Sequence, residues 1–169
     1  MNGAQLQTLT HPMTRALGWV LFGPPLLKSS NPSNLHPKDF FDLGLCTPEK
    51  AETRLRELNE TPEPLTQWLA DKPTRRVGHL FEHLIHYWLK FETEAEIIGA
   101  QEQLFEDNRT IGEIDFLLRF ENRIIHIEAT VKFYLQTQPN PDWSDFVGPN
   151  TKDNLSKKTL YLVQKQLPL

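Results

Sequence analysis

The chain has 169 residues, 38% of them hydrophobic and 24% charged, enough for one compact domain with a core of its own. Cys46 is its only cysteine, which excludes an intrachain disulfide framework and suits a reducing compartment. A net charge of −4, taken alone, argues against nucleic acid as a partner, but the charge is unevenly spread. From His36 to Asp71 eight acids face four bases, whereas from Thr151 onward four lysines (Lys152, Lys157, Lys158, Lys165) face one acid, Asp153.

In chain order, "LTHPMTRALGWVLFGPPLL" predicts a short helix stopped by Pro24 and Pro25. Its apolar run is too short to span a bilayer and lacks the charged start and small-residue cleavage site of a leader, so a cytoplasmic protein without membrane contact is expected. "KSSNPSNLHPK" reads as a loop. A mostly exposed helix follows Pro48 with Thr47 as its cap, and "TPEPLTQWLADKP" is a helical turn between prolines. "TRRVGHLFEHLIHYWLK" predicts a longer helix, with Val77, Leu80, Phe81, Leu84, Ile85 and Trp88 on one side. "EAEIIGAQEQLFE" reads as a strand, "IGEIDFLLRFENRIIHIEATVKFYL" as two more, "QTQPNPDWSDFVGPN" as a loop, and "TKDNLSKKTLYLVQKQL" as a helix that Pro168 stops. The order helix, three strands, helix behind an N-terminal helical layer is an α/β or α+β arrangement built on an antiparallel meander. Residues 1–72 are expected to form that layer, packed on a core of residues 73–169.

The last two strands carry a charged face. With the turn centred on Glu121 and Asn122, Asp115 lies across from Glu128, and directly opposed side chains have Cβ atoms roughly 4.5–5.5 Å apart. Alternation then places Ile114, Phe116, Leu118 and Phe120 with Ile125, Ile127, Ala129, Val131, Phe133 and Leu135 on a core face. Glu113, Asp115, Arg119, His126, Glu128, Thr130, Lys132 and Tyr134 fall on the other. Two opposed carboxylates repel unless a cation sits between them. Mg²⁺ or Mn²⁺ resolves the conflict, being bound through one or two carboxylates and several waters. Lys132, on the same face, can hold one of those waters or meet a phosphate oxygen, which is the apparatus of metal-assisted phosphodiester hydrolysis. The bland alternative is a solvated face with a Lys–Glu pair at i, i+4.

"GEID" on one strand and "EATVK" on the next, behind a helix bearing Glu82, resemble the PD-(D/E)XK nuclease superfamily, whose core runs α-β-β-β-α-β. "HPMTRALGWVLFGPPLL", "RRVGHLFEHLIHYWL", "GEIDFLL", "HIEATVKFYL" and "VGPNTKDNLSKKTLYLVQKQL" look like successive blocks of one bacterial family of unknown function assigned to it. The resemblance implies a restriction-endonuclease-like core and a nuclease that hydrolyses DNA. It implies Asp115 and Glu128 as metal ligands, Lys132 as the residue that positions water, Glu82 as an acid reaching the metal through water, and Glu113 and Thr130 as lining. Two features depart from the pattern. The plain motif puts lysine two residues after the acid, where this chain has Thr130. The fourth core strand is not found, which leaves its place to a partner chain or second copy, to an N-terminal segment, or to a longer protein of which this chain is a fragment.

Other signals compete. "HLFEH", His79 to His83, matches the H-x-x-E-H of inverted zinc peptidases, but on the helical wheel His79, His83 and His86 lie opposite the apolar stripe, as three surface histidines would. His126 reads as a proton shuttle or as a strand histidine paired with an acid, and Trp143 as a base-stacking residue or a loop anchor. "VGPN" offers backbone N–H groups to a phosphate, or is a turn with Asn150 or Thr151 as helix cap. Lys152, Lys157, Lys158 and Lys165 follow a nucleic-acid backbone or form a solvated face. The displaced lysine and acidic charge leave a second function open: a catalytically silent nuclease-fold module that binds nucleic acid or a partner protein.

Overall fold

Thr47 is itself extended and its hydroxyl accepts the N–H of Lys50, so Pro48 enters a helix in the first turn, where its missing N–H costs nothing. That helix, α3 (Pro48–Glu60), follows α1 (Gly3–Gln7) and α2 (Pro12–Phe22), and is followed by α4 (Glu63–Ala70) and α5 (Val77–Phe91). The structure is a computed structural model that describes residues 1–24, 40–72, 75–107 and 109–169. The expected loop at "KSSNPSNLHPK" lies outside the described residues. Beyond α5 come β1 (Glu96–Glu106), β2 (Arg109–Phe120), β3 (Arg123–Ile127), β4 (Leu135–Gln136), β5 (Phe146–Val147) and α6 (Leu155–Tyr161). The fold is mixed α+β.

Contacts divide the chain into two units, Met1–Ile97 with Arg119–Arg123, and Ile98–Leu118 with Ile124–Leu169. The first is helical. Its core gathers Leu6, Leu17, Leu55, Leu58, Leu65, Leu84, Tyr87 and Trp88, all essentially inaccessible to water. Polar ties pin the helices over this core. The Thr14 hydroxyl donates to the Leu58 carbonyl (3.0 Å), joining α2 to α3, and Trp68 Nε1 donates to the His83 carbonyl (3.1 Å), joining α4 to α5. Arg54 Nε meets both oxygens of Glu92 at 3.0 and 2.9 Å, and the Tyr87 hydroxyl donates to the same carboxylate.

In α5 the apolar stripe is buried at Leu84, Ile85 and Trp88 but not at Val77, which is half exposed at the first turn. The histidines depart from the expected wheel. His83 is buried, at 8% exposure, and His86 stacks edge-on against Trp68. The reason is α4, whose Trp68 covers the face of α5 that a single-helix wheel assigns to solvent.

The three-stranded sheet has the order β1-β2-β3 and is antiparallel, as two-residue connections between successive strands require. The β2–β3 turn falls at Glu121–Asn122, with Glu121 at φ 53°, the sign that tight hairpin turns demand. Along β2 the burial alternates as predicted, with Ile114, Phe116 and Leu118 buried. Strand pairing then stops at Ile127, short of the expected Leu135. The predicted parity holds through Lys132, with Ala129 and Val131 partly buried and Thr130 and Lys132 exposed, and fails from Phe133. Phe133 and Leu135 are 64% and 72% exposed, whereas the Tyr134 hydroxyl is buried. Alternation is tied to faces only while the pleat is held by a neighbouring strand, and "EATVKFY" has left β2. The expected loop after Leu135 contains a two-residue β4–β5 ladder, Leu135 with Val147 and Gln136 with Phe146. Trp143 there is partly buried in a helical turn capped by Asp142. "VGPN" is a turn, as predicted, but the helix cap is Asn154, whose side chain accepts the Lys157 N–H (2.8 Å), rather than Asn150 or Thr151.

Candidate functional site

Where β3 leaves the sheet, its next backbone donors lose their ladder partners. Asp115, on β2, supplies a replacement: its Oδ2 accepts the N–H of Ala129 at 2.7 Å. That bond draws an acid from one strand onto the residue that follows Glu128 on the next. Glu128 is nearly enclosed, its side chain 3% exposed, and a buried carboxylate needs donors. It has two. His126 Nε2 donates to Oε1 at 2.8 Å, and Gln166 Nε2 donates to Oε2 at 2.7 Å.

Gln166 comes from the far end of the last helix. Its own Oε1 accepts from Lys158 Nζ at 3.0 Å, so one amide bridges an ammonium and a carboxylate. Residues eight apart on an ideal α-helix sit about 80° apart around the axis. Here α6 passes into a π turn over Leu162–Gln166, and one π turn absorbs one extra residue, which brings Gln166 to within about 20° of the Lys158 face. Lys158 is partly buried. Burial, and after it the like charge of Lys132, pushes its ammonium below the ordinary lysine value, while Glu128, Asp115 and Asp153 pull it back up. Lys132 reaches Asp153 Oδ2 at 3.7 Å, an exposed pair of little energetic weight, and its charge acts on Lys158. Burial, with Asp153 adding to it, raises the pKa of the Tyr134 hydroxyl, which has no hydrogen-bond partner.

The structure thus brings Asp115, Glu128, His126 and Lys158 together through short hydrogen bonds and mutual charge, and adds Gln166, which the sequence reading missed. Nothing in "LYLVQKQ" marks that glutamine, because its position depends on the π turn. Glu113 and Thr130 are exposed. Glu82 belongs to α5 of the helical unit. Lys152, Lys157 and Lys165 are exposed, and Lys157 Nζ is turned to the Lys152 carbonyl (3.4 Å).

By donor type the pair Asp115 and Glu128 suits a hard divalent cation that keeps several waters, since each Glu128 oxygen has a second lone pair beyond the bond it accepts. Among the described residues no group of three or more His, Cys, Asp or Glu stands together as a metal site. Residues 15–169 match a family described as a domain of unknown function, DUF1853. The chain belongs to the DUF1853 family. No curated protein and no solved structure matches it. In this DUF1853 chain no helix among the described residues is long and apolar enough to cross a membrane.

His83 gives the helical unit a pH dependence of its own. Burial, and then the charges of Lys72 and His79, hold its imidazole below the ordinary value, and its Nε2 is buried without a partner. The folded form therefore binds a proton less readily than the unfolded chain, so stability is complete above the unfolded value of about 6.5 and falls as pH drops below it. His86 shifts in the same direction. Urea midpoints at pH 7.5 and 5.5 should show the loss, and His83→Leu should shrink it. An unchanged pH slope in that variant would rule out His83 as a source.

Proposed function

We propose that this DUF1853 protein is a divalent-metal-dependent nuclease of the PD-(D/E)XK type, hydrolysing phosphodiester bonds of DNA, with Asp115 and Glu128 holding Mg²⁺ or Mn²⁺. The observation that carries the reading is the 2.7 Å bond from the Ala129 N–H to Asp115, because it ties Asp115 to the residue that follows Glu128, and the charges of both acids act on Lys158. The order α5-β1-β2-β3, followed by the short β4–β5 ladder and then α6, resembles the helix, three strands, helix order of a restriction-endonuclease-like core and adds support.

The hydrolysis balances simply. A water oxygen bonds to phosphorus as the bond from phosphorus to the leaving sugar oxygen breaks; the water gives up one proton and the leaving oxygen gains one. A divalent ion, when bound, supplies Lewis acidity and lowers the pKa of water. The chain's own groups hold and orient. Asp115 and Glu128 provide oxygen ligands, the Ala129 N–H fixes Asp115, and His126 fixes Glu128. The positive charge beside them faces the negative charge that grows on the phosphate.

A second reading has its own observation. Both Glu128 oxygens already accept hydrogen bonds within the chain, as a metal-free, catalytically silent module that binds nucleic acid or a partner protein would require. Manganese titration separates the two. A ligand at about 100 times its Kd stabilises the native state by roughly 2.7 kcal/mol, which for a chain of this size is a rise of about 5–10 °C in Tm. No rise at millimolar Mn²⁺ selects the silent module.

A further inference from the structure

We propose that Lys158, carried by the last helix, is the catalytic ammonium of this site, and that Gln166 is the residue positioning it against Glu128. The inference rests on the nuclease reading and departs from the lysine that the strand motif suggests.

Three observations carry it. First, Lys132 is exposed and its ion-pair partner is Asp153, at 3.7 Å, whereas Lys158 is partly buried. Second, Lys158 is joined to the buried acid by a chain of two short bonds, Lys158 Nζ to Gln166 Oε1 (3.0 Å) and Gln166 Nε2 to Glu128 Oε2 (2.7 Å). That chain also fixes which way the amide faces. An ammonium only donates and a carboxylate only accepts, so exchanging the amide ends would set donor against donor and acceptor against acceptor. Third, the π turn at Leu162–Gln166 gives the two residues a common face. Such turns cost helix geometry and cluster at functional positions.

The electrostatic logic follows. Sheltering a lysine amine costs free energy unless acids lie near it, and here Glu128 and Asp115 do. Of the ammonium's three donors one goes to Gln166, which leaves donors for a phosphate oxygen. A donor held in place before substrate arrives needs no reorganisation as charge develops, which is where such groups gain their effect. Gln166 touches neither substrate nor metal in this scheme; it acts through Lys158 and Glu128.

The test compares the full chain with Lys158→Met, Lys132→Met and Gln166→Leu, measuring kcat and KM for Mn²⁺-dependent DNA cleavage together with Mn²⁺ affinity. Lys158→Met should lower kcat by about 100-fold or more and tighten Mn²⁺ binding, because a like charge leaves the neighbourhood of the metal. A purely structural lysine would weaken both together. Lys132→Met should cost less than about tenfold, and Gln166→Leu should lower kcat with little change in KM. Lys158→Arg, which keeps charge and bulk, should recover part of the loss and serves as the second variant if Lys158→Met does not fold. A greater loss in Lys132→Met than in Lys158→Met, or metal binding and cleavage lost together in Lys158→Met, overturns the inference alone. Absence of metal-dependent cleavage in the unaltered chain overturns the nuclease reading and this inference with it.

Discussion

Asp115→Asn and Glu128→Gln should each abolish Mn²⁺-dependent cleavage of DNA, by at least about 100- to 1000-fold, and remove the metal-induced rise in Tm, while far-UV circular dichroism stays unchanged. The substitutions are chosen to separate charge from shape. An asparagine at position 115 keeps a carbonyl oxygen able to accept the Ala129 N–H, now bonded to Asp115 Oδ2, so the departure of β3 from the sheet retains its anchor. A glutamine at position 128 keeps an acceptor for Gln166 or His126 but loses the second carboxylate oxygen, so one of the two bonds that Glu128 accepts is lost. Each variant removes one formal negative charge from a site whose proposed task is to hold a divalent cation. Glu128→Gln should be the less stable of the two, because Glu128 is the more enclosed and leaves one donor unpaired. Cleavage that survives in both variants would show that the hydrolytic site lies elsewhere.

How legible this arrangement was from sequence depends on what held each element in place. Local signals were enough for Thr47 before Pro48 and for the turn at Glu121–Asn122, because caps and hairpin turns are chosen by a few neighbouring residues. The alternation of Ile114, Phe116 and Leu118 was likewise readable, since a paired strand keeps its faces. The same rule, carried past Ile127, placed Phe133 and Leu135 in a core and Lys132 beside Glu128. The placements of Phe133 and Leu135 failed once the pleat had no neighbour to enforce it. His83 was misread for a related reason, since the wheel of α5 alone cannot show that Trp68 of α4 covers its far side. The site itself was half visible. Asp115 and Glu128 are marked by acids in apolar strands, but the partners that satisfy Glu128 are an adjacent histidine and a glutamine 38 residues away. Only tertiary structure, through a π turn, joins that glutamine to Lys158.

Trp88→Ala is expected to cost about 3–5 kcal/mol, the scale of truncating a large aromatic in a filled core. Trp88 is 1% exposed and packs in the cluster that holds α2, α3 and α5 together. What makes the position informative is its indole nitrogen, which is buried with no hydrogen-bond partner. An orphaned buried donor costs roughly 1–3 kcal/mol, so the native tryptophan already carries a penalty that a phenylalanine would not. Trp88→Phe gives up part of the apolar contact and leaves a small gap, yet relieves the unpaired N–H. The two effects oppose one another, and the net cost should stay near 1 kcal/mol. Urea unfolding followed by circular dichroism at 222 nm, which reads the helical unit, gives both numbers. A Trp88→Phe variant as unstable as Trp88→Ala would mean that the indole N–H is paired in solution, and that the indole is held by that bond as well as by its packing.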